Sequence, residues 1–329
     1  MRFSVIIPVY NRPYEVRELL QSLTAQEYRD FEVIVVEDGS AFSCKEVVKN
    51  FAARLDVKYF VKENGGPGPA RNYGAEHAKG EYLIILDSDV IVPAGYFSEI
   101  ENELASQEAD AFGGPDSAHP DFTPVQKAIN YSMTSFFTTG GIRGGKVKMD
   151  KFYPRSFNLG IKAEVYKALG GFSAMRYGED IDLSIRIFKG GYKCRLFPGA
   201  WVWHKRRTNL KSFFKQVHHS GEARIVLHKK HPGSMKAVHT LPALFTLALA
   251  FFICIAPLPM LIFKIGFGWS VLLAWSPLLL WILAIFTDST IKNRNPLIGL
   301  LSIVSSFIQL TGYGTGFLKA WWRQCVLKG

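Results

Sequence analysis

Tyr82-Leu83-Ile84-Ile85-Leu86-Asp87-Ser88-Asp89 decides the fold. Five apolar residues, the length of one buried strand, run directly into two carboxylates one residue apart. The edge of an α/β sheet beyond the strand carboxyl ends is where nucleotides bind. Carboxylate oxygens there are hard ligands for Mg²⁺ or Mn²⁺, ions that keep positions open for water and substrate phosphates. An Asp-x-Asp after a strand is equally an ordinary solvated turn, so its meaning depends on the surrounding segments.

Outward from this segment, strand-like and helix-like stretches alternate. Phe3 to Val9, Phe31 to Val36 and Val57 to Val61 are short apolar or β-branched runs; Tyr14 to Ala25, Lys45 to Leu55 and Pro69 to Ala78 have helical spacing. The pattern predicts an α/β fold with a mainly parallel, Rossmann-like sheet. Neither GxGxxG nor GxxxxGK[ST] occurs, which sets aside the dinucleotide and P-loop versions. The loops after the strands read Pro8-Val9-Tyr10-Asn11-Arg12, Glu37-Asp38-Gly39-Ser40 and Asn64-Gly65-Gly66-Pro67-Gly68-Pro69-Ala70-Arg71-Asn72. In one crevice, Asp38 would accept hydrogen bonds from a base or ribose, and Arg71 would meet a phosphate with its planar fork of donors.

Composition divides the 329 residues. No charged residue occurs from Thr240 to Phe263, Ile265 to Thr287 or Pro296 to Leu318; each run is long enough to span a hydrocarbon core of about 30 Å as a helix. Residues 1–200 hold 24 Lys/Arg and 26 Asp/Glu, a net of −2, 201–239 hold 9 against 1, a net of +8, and 240–329 hold 6 against 1, a net of +5, so the excess behind the overall +11 lies in the last two segments. The cluster from Lys205 to Lys236 predicts contact with an anionic cytoplasmic leaflet and puts the preceding domain in the cytosol. Nucleic acid is not an expected partner, because the first 200 residues are close to neutral. Phe3 to Ile7 is too short for a signal core. Cys44, Cys194, Cys254 and Cys325 lack metal or disulfide spacing and read as reduced and packed.

These features predict a catalytic domain over 1–205, a basic amphipathic interfacial segment over 206–239, and an all-α membrane domain over 240–329 in the cytoplasmic (inner) membrane. Its two to three hydrophobic helices are expected at about 240–263, 267–287 and 296–318. Two should cross; the third, with Ser302, Ser305, Ser306, Gln309 and three glycines, should be re-entrant or lie along the interface.

Six motifs, in order, resemble the signature of family 2 glycosyltransferases with the GT-A fold: Val5-Ile6-Ile7-Pro8-Val9-Tyr10-Asn11, Val35-Val36-Glu37-Asp38-Gly39-Ser40, Ala70-Arg71-Asn72, Leu86-Asp87-Ser88-Asp89, Gly170-Gly171-Phe172 and Gly178-Glu179-Asp180-Ile181-Asp182-Leu183. The resemblance covers about residues 1–225. It implies a metal-dependent, inverting transfer from a nucleotide-sugar, with a UDP-sugar as the expected donor. By the same resemblance Pro8, Tyr10, Asn11, Asp38, Asn64, Arg71, Asp87 and Ser88 hold the donor, and Asp87 and Asp89 hold Mn²⁺ or Mg²⁺. Asp180 is the general base, with Glu179 beside it; read without the resemblance, the pair is an acidic cap on a helix from Ile181 to Lys189. Members often have Asp where this chain has Glu37, which leaves Asp38 as the nucleotide contact.

His204, in Trp201-Val202-Trp203-His204, is either a third metal ligand or a surface histidine beside Lys205-Arg206-Arg207. Asn158 and Gly160, with the glycine-rich loop 138–145, are expected to border the acceptor. The Gln-x-x-Arg-Trp signature of processive synthases is missing, which implies one sugar per encounter. An interfacial helix over Leu210 to His228 would favour a lipid-linked or glycan acceptor. Two alternatives stand: a polyprenyl-phosphate glycosyltransferase, whose ionised acceptor would need no base, and a non-catalytic membrane component of glycan binding or export.

Overall fold

The computed structural model describes the backbone of residues 1–140, 152–255 and 267–327. Residues 141–145 of the glycine-rich loop and 256–263 of the first apolar run lie outside the described residues. The chain forms two compact units: residues 1–119 with 150–205, and residues 120–149 with 206–329. It leaves the first unit at Pro120 and returns at Asp150, an excursion that a continuous domain over 1–205 does not contain.

The first unit is built on a seven-stranded sheet ordered β3-β2-β1-β4-β8-β6-β9. Strands β1 (Phe3–Val9), β2 (Phe31–Asp38), β3 (Val57–Lys62) and β4 (Tyr82–Leu86) are mutually parallel. β8 (Asn158–Lys162) runs antiparallel to β4 and to β6 (Ala111–Gly113), and β9 (Cys194–Leu196) is parallel to β6. The near-continuous apolar β1 and β4 are central because helices cover both faces. Pro13–Thr24 buries Val16, Leu19, Leu20 and Leu23, and in Pro67–Glu76 Gly74 packs so tightly that a Cβ there would meet Ile6 Cγ2 at 2.6 Å. A second sheet, β5 (Val90–Ile91), β10 (Val202–His204) and β7 (Asp116–Ser117), has β10 in the middle. The chain diverges between β1 and β4, whose carboxyl ends share one edge; this switch point is where a doubly wound sheet opens a crevice.

The second unit is helical: Pro124–Thr134, Phe136–Thr139, Leu210–Lys230, Leu241–Ile255, Phe267–Asn293 and Pro296–Trp321. Pro296–Trp321 packs against each of the other five. Leu210–Lys230, expected at a membrane interface, buries Phe213, Val217, Ala223, Ile225 and Leu227 on one face and exposes Lys211, Lys215, Lys229 and Lys230 on the other. Among the described residues one helix, Pro296–Gln324, is long and apolar enough to cross a membrane, with mean hydropathy 1.5; Leu241–Ile253 is a shorter apolar helix. The long one is the run whose serines and glycines make it the least apolar in sequence. Those residues face inward: Ser302, Ser305 and Ser306 are fully buried, and Ser305 Oγ donates to Ala128 O at 2.8 Å.

The glycines set how closely the helices approach. A Cβ on Gly221 would stand 2.1 Å from Tyr313 O, and one on Gly316 2.0 Å from His218 O, so the backbones of Leu210–Lys230 and Pro296–Trp321 touch directly. Gly316→Ala is expected to force these helices apart and cost about 1–3 kcal/mol. Thermal unfolding of the detergent-purified protein measures it, and an unchanged midpoint would contradict the direct contact.

Candidate active site

The parallel register brings the loops after β1, β2 and β4 to one edge of the first unit. Asn11, at φ 55°, ties two of them: its Oδ1 accepts from the N–H groups of Ala41 and Phe42 at 2.8 and 3.0 Å, and its own N–H donates to Ser40 Oγ at 2.9 Å. Asp38 Oδ1 accepts from Gly65 N at 2.9 Å and Lys62 Nζ at 2.8 Å, while Oδ2 accepts from Gly66 N at 2.7 Å. Asn64 Nδ2 donates to Asp38 O at 2.8 Å. Asn11, Asp38 and Asn64 therefore knit the expected nucleotide edge together. Tyr10, 54% exposed, stands at its rim after Pro8, and Ser88 is buried. Glu37 is internal, accepting from Cys44 N, Ser43 Oγ and Tyr59 Oη.

Asp87, Asp89 and His204 each present a ligand atom, all within 4.8 Å of one another. His204 reaches the cluster through a two-residue antiparallel ladder in which it pairs with Val90, directly after Asp89, and Lys205 N donates to Asp89 O at 3.0 Å. Its ring stacks on Phe157 at 4.7 Å; Nε2 lies 3.4 Å from Asp89 Oδ1 and Nδ1 lies 3.9 Å from Asp116 Oδ2. Two carboxylates and an imidazole form a donor set that fits a divalent cation. Among the described residues the buried Nδ1 of the imidazole makes no hydrogen bond, Asp116 standing behind it beyond hydrogen-bond reach.

Cations hold these carboxylates. Arg12 Nη1 donates to Asp89 Oδ2 at 2.5 Å. Arg71, 3% exposed, donates through Nη2 to Asp87 Oδ1 at 2.7 Å and Ser156 Oγ at 3.1 Å, and through Nη1 to Glu179 Oε1 at 2.8 Å, over the Phe172 ring. Arg71 therefore joins Asp87 to the helix Glu179–Lys189, where a free phosphate donor was expected.

Glu179 and Asp180 open that helix after Gly178, at φ 79°. Burial, the largest effect on Glu179, lifts its carboxyl above the ordinary value against the pull of Arg71. Burial would lift Asp180 too, but the Arg155 guanidinium, donating from Nε at 2.5 Å, and the Ile181 N–H at 2.8 Å hold it below its ordinary value. Two adjacent carboxyls are thus driven apart, the pattern that separates acid and base roles.

Asn158 and Gly160, expected on the acceptor side, are interior. Asn158 is 1% exposed, accepts from Tyr96 Oη at 2.6 Å and donates to Ala200 O at 2.7 Å; a Cβ on Gly160 would meet the Phe112 ring at 2.1 Å. The exposed member of that stretch is Arg155. Arg12, Asp116, Arg155 and Ser156 were not among the expected site residues, although Arg12 adjoins Asn11 and the pair 155–156 directly precedes the Phe157-Asn158 step into β8.

The model of "Glycosyl transferase family 2" matches residues 4–169. An uncharacterized glycosyltransferase of Rickettsia typhi is 41% identical over 200 residues, covering 56% of this chain and 58% of that protein. The GalNAc(5)-diNAcBac-PP-undecaprenol beta-1,3-glucosyltransferase of Campylobacter jejuni is 33% identical over 115 residues, covering 34% and 37%. Matches to Rickettsia relatives span between 16% and 58% of those proteins' lengths. In fold, the chain is similar to the mannosyltransferase PcManGT of Pyrobaculum calidifontis, solved with GDP-Man and Mn²⁺, at TM-score 0.57 and 19% identity over 98% of this chain and 88% of that one.

Arg71→Met removes the cation between two carboxylates, and breaking a buried pair costs about 3–5 kcal/mol. A Glu179 pKa raised above its unfolded value contributes stability below that value and loses it as pH rises through the folded one. The defect of Arg71→Met in thermal unfolding is accordingly expected to be largest at neutral pH and to shrink on acidification. A defect independent of pH would mean that Glu179 does not depend on Arg71.

Proposed function

The chain belongs to glycosyl transferase family 2, and we propose that it transfers one sugar, with inversion, from a nucleotide-sugar to a membrane- or lipid-linked acceptor in cell-envelope glycan synthesis. The observation that carries this reading is the pair of charge clusters bridged by Arg71: Asp87, Asp89 and His204 on one side, Glu179 on the other with Asp180 next to it on Arg155.

Asp87, Asp89 and His204 would hold the cation, which supplies charge stabilisation for the departing diphosphate. Asp38 and Lys62 set an acceptor beside a donor, complementary to an N–H next to a carbonyl on a base edge; we take uracil as that base. Asp180 takes the proton of the acceptor hydroxyl as its oxygen forms a bond to the anomeric carbon and the bond to the diphosphate oxygen breaks on the opposite face. A single displacement of this kind inverts the centre.

The membrane reading is supported by apolar side chains exposed on the second unit, among them Leu241, Leu244, Phe251, Leu280 and Leu283. Trp321 and Trp322, half exposed between Lys319 and Arg323, form the aromatic and basic rim typical of a headgroup layer. We place the first unit on the cytosolic side of the inner membrane, with the basic face of Leu210–Lys230 toward anionic lipid.

Release of nucleoside diphosphate from a panel of UDP- and GDP-sugars tests the activity and the base together. Asp180→Asn is expected to lower kcat by about 10²- to 10⁴-fold with donor KM little changed; a loss confined to donor affinity would remove the base assignment and favour a phosphate acceptor.

Asp89→Asn is expected to abolish metal-stimulated turnover while thermal unfolding stays near wild type, since the residue lies in a loop. Wild-type turnover with Mn²⁺ would sink the ligand assignment. The acid limb of kcat/KM is expected below the ordinary carboxylate range, about 4, because Asp180 stays ionised beside Arg155, and Arg155→Gln should raise it. A limb that does not move on that substitution would separate Arg155 from the titrating group.

A further inference from the structure

We propose that Arg155 is a specificity-determining residue that binds a phosphate on the acceptor, so that the substrate class is a hydroxyl acceptor carrying a phosphate ester, diester or diphosphate within a few bonds of the attacking oxygen. The inference rests on Asp180 marking the acceptor side. Arg155 donates to Asp180 from Nε alone, and among the described residues its two terminal amino groups make no hydrogen bond. The side chain is 39% exposed. One edge of a planar guanidinium therefore holds the base while the other, with its pair of N–H donors, faces outward as a fork of the shape that phosphate oxygens fill.

The geometry is poorly explained by a purely structural role. Asp180 already satisfies the first turn of its helix by accepting from Ile181 N. A permanently paired arginine weakens a base that has to accept a proton from a neutral hydroxyl. A phosphate on the outer edge shares the guanidinium charge, loosens its hold on Asp180, and fixes the attacking hydroxyl beside that carboxylate. Acceptor binding and release of the base then occur at one residue. Glu179 is hydrogen-bonded by Arg71 and Asp89 by Arg12. Glu179 and Asp116 act on Arg155 through their charge, and no hydrogen bond from its outer edge to either is found among the described residues.

The same chemistry is offered by a polyol phosphate and by the diphosphate of a lipid carrier, and the test separates them. Full-length protein in detergent, with UDP, GDP and Mn²⁺ present to fill the donor side, is titrated by saturation-transfer NMR with ribitol and ribitol 5-phosphate. Undecaprenyl diphosphate in the micelles serves as competitor. Wild type is expected to bind ribitol 5-phosphate about tenfold or more tightly than ribitol, Arg155→Gln to reduce that preference below about threefold, and Arg155→Lys to keep an intermediate value. Displacement of ribitol 5-phosphate by the lipid diphosphate at lower concentration identifies the lipid source, and its persistence identifies the polyol source. Equal binding of the two ribitol probes by wild type, or a phosphate preference that survives in Arg155→Gln, overturns the proposal; the wild-type comparison stands even if a variant does not fold. Donor turnover is read separately: a chain that prefers phosphate through Arg155 but releases no nucleotide from any donor refutes the transferase reading and keeps this one.

Discussion

A guanidinium buried at Arg71 is the constraint on which the first unit depends. Removing a cation from water is costly unless every charge on it is matched. Here the charge is matched by Asp87 at the end of β4 and Glu179 at the start of a helix far along the chain, and Ser156 accepts a further hydrogen bond, while the buried Nε makes none among the described residues. The pairing only closes if the loop after β4, the entry to β8 and the helix Glu179–Lys189 all reach their places. The loop after β4 and the start of the helix Glu179–Lys189 are therefore not independent, because one rigid, planar group joins Asp87 to Glu179.

How much of this was legible follows from what each residue contacts. The parallel strands announce themselves because burial on both faces demands continuous apolar runs, whereas Asp87, Asp89 and Asp180 stood out only through the order of the six motifs, since carboxylates in turns and first helical turns are common, and His204 stayed open between a ligand and a surface residue. The arginines were harder to read. Arg71 was visible as a cation near the crevice, but whether it meets a ligand phosphate or two protein carboxylates is decided by tertiary structure. Arg12 and Arg155 carry no local pattern that distinguishes them from the other arginines of the chain. Asn158 and Gly160 were misplaced for the opposite reason: a polar residue and a glycine resemble a site, yet one satisfies Tyr96 and Ala200 inside the sheet and the other makes room for Phe112. The excursion over 120–149 left no compositional edge, since its helix Pro124–Thr134 begins with an ordinary capping box at Thr123 and Gln126.

The helical unit uses a different economy of contacts. Its central helix is apolar on average but turns hydroxyls and glycines inward, so close backbone approach and short polar bridges such as Ser289 with Ser302 at 2.7 Å stand beside the packing of Phe213, Val217 and Phe317. Tyr131 donating to Asp288 at 2.8 Å, with Lys292 on the same carboxylate at 2.6 Å, fastens the excursion helix to the same scaffold.

The two-residue ladder between β5 and β10 has an architectural consequence. It seats His204 beside Asp89 by pairing the two ends of a very long intervening stretch, from which Asp116–Ser117 adds the second neighbour of β10 and Phe157 stacks on the imidazole. Lengthening a closed loop adds only a slowly growing entropy cost. Within that stretch only the excursion from Pro120 to Met149 lies outside the first unit, so a change in its length can leave the ladder in register, whereas β8, β6 and β9 continue the sheet from β4, and Ser156 and Glu179 bind Arg71, as fixed parts of the same unit.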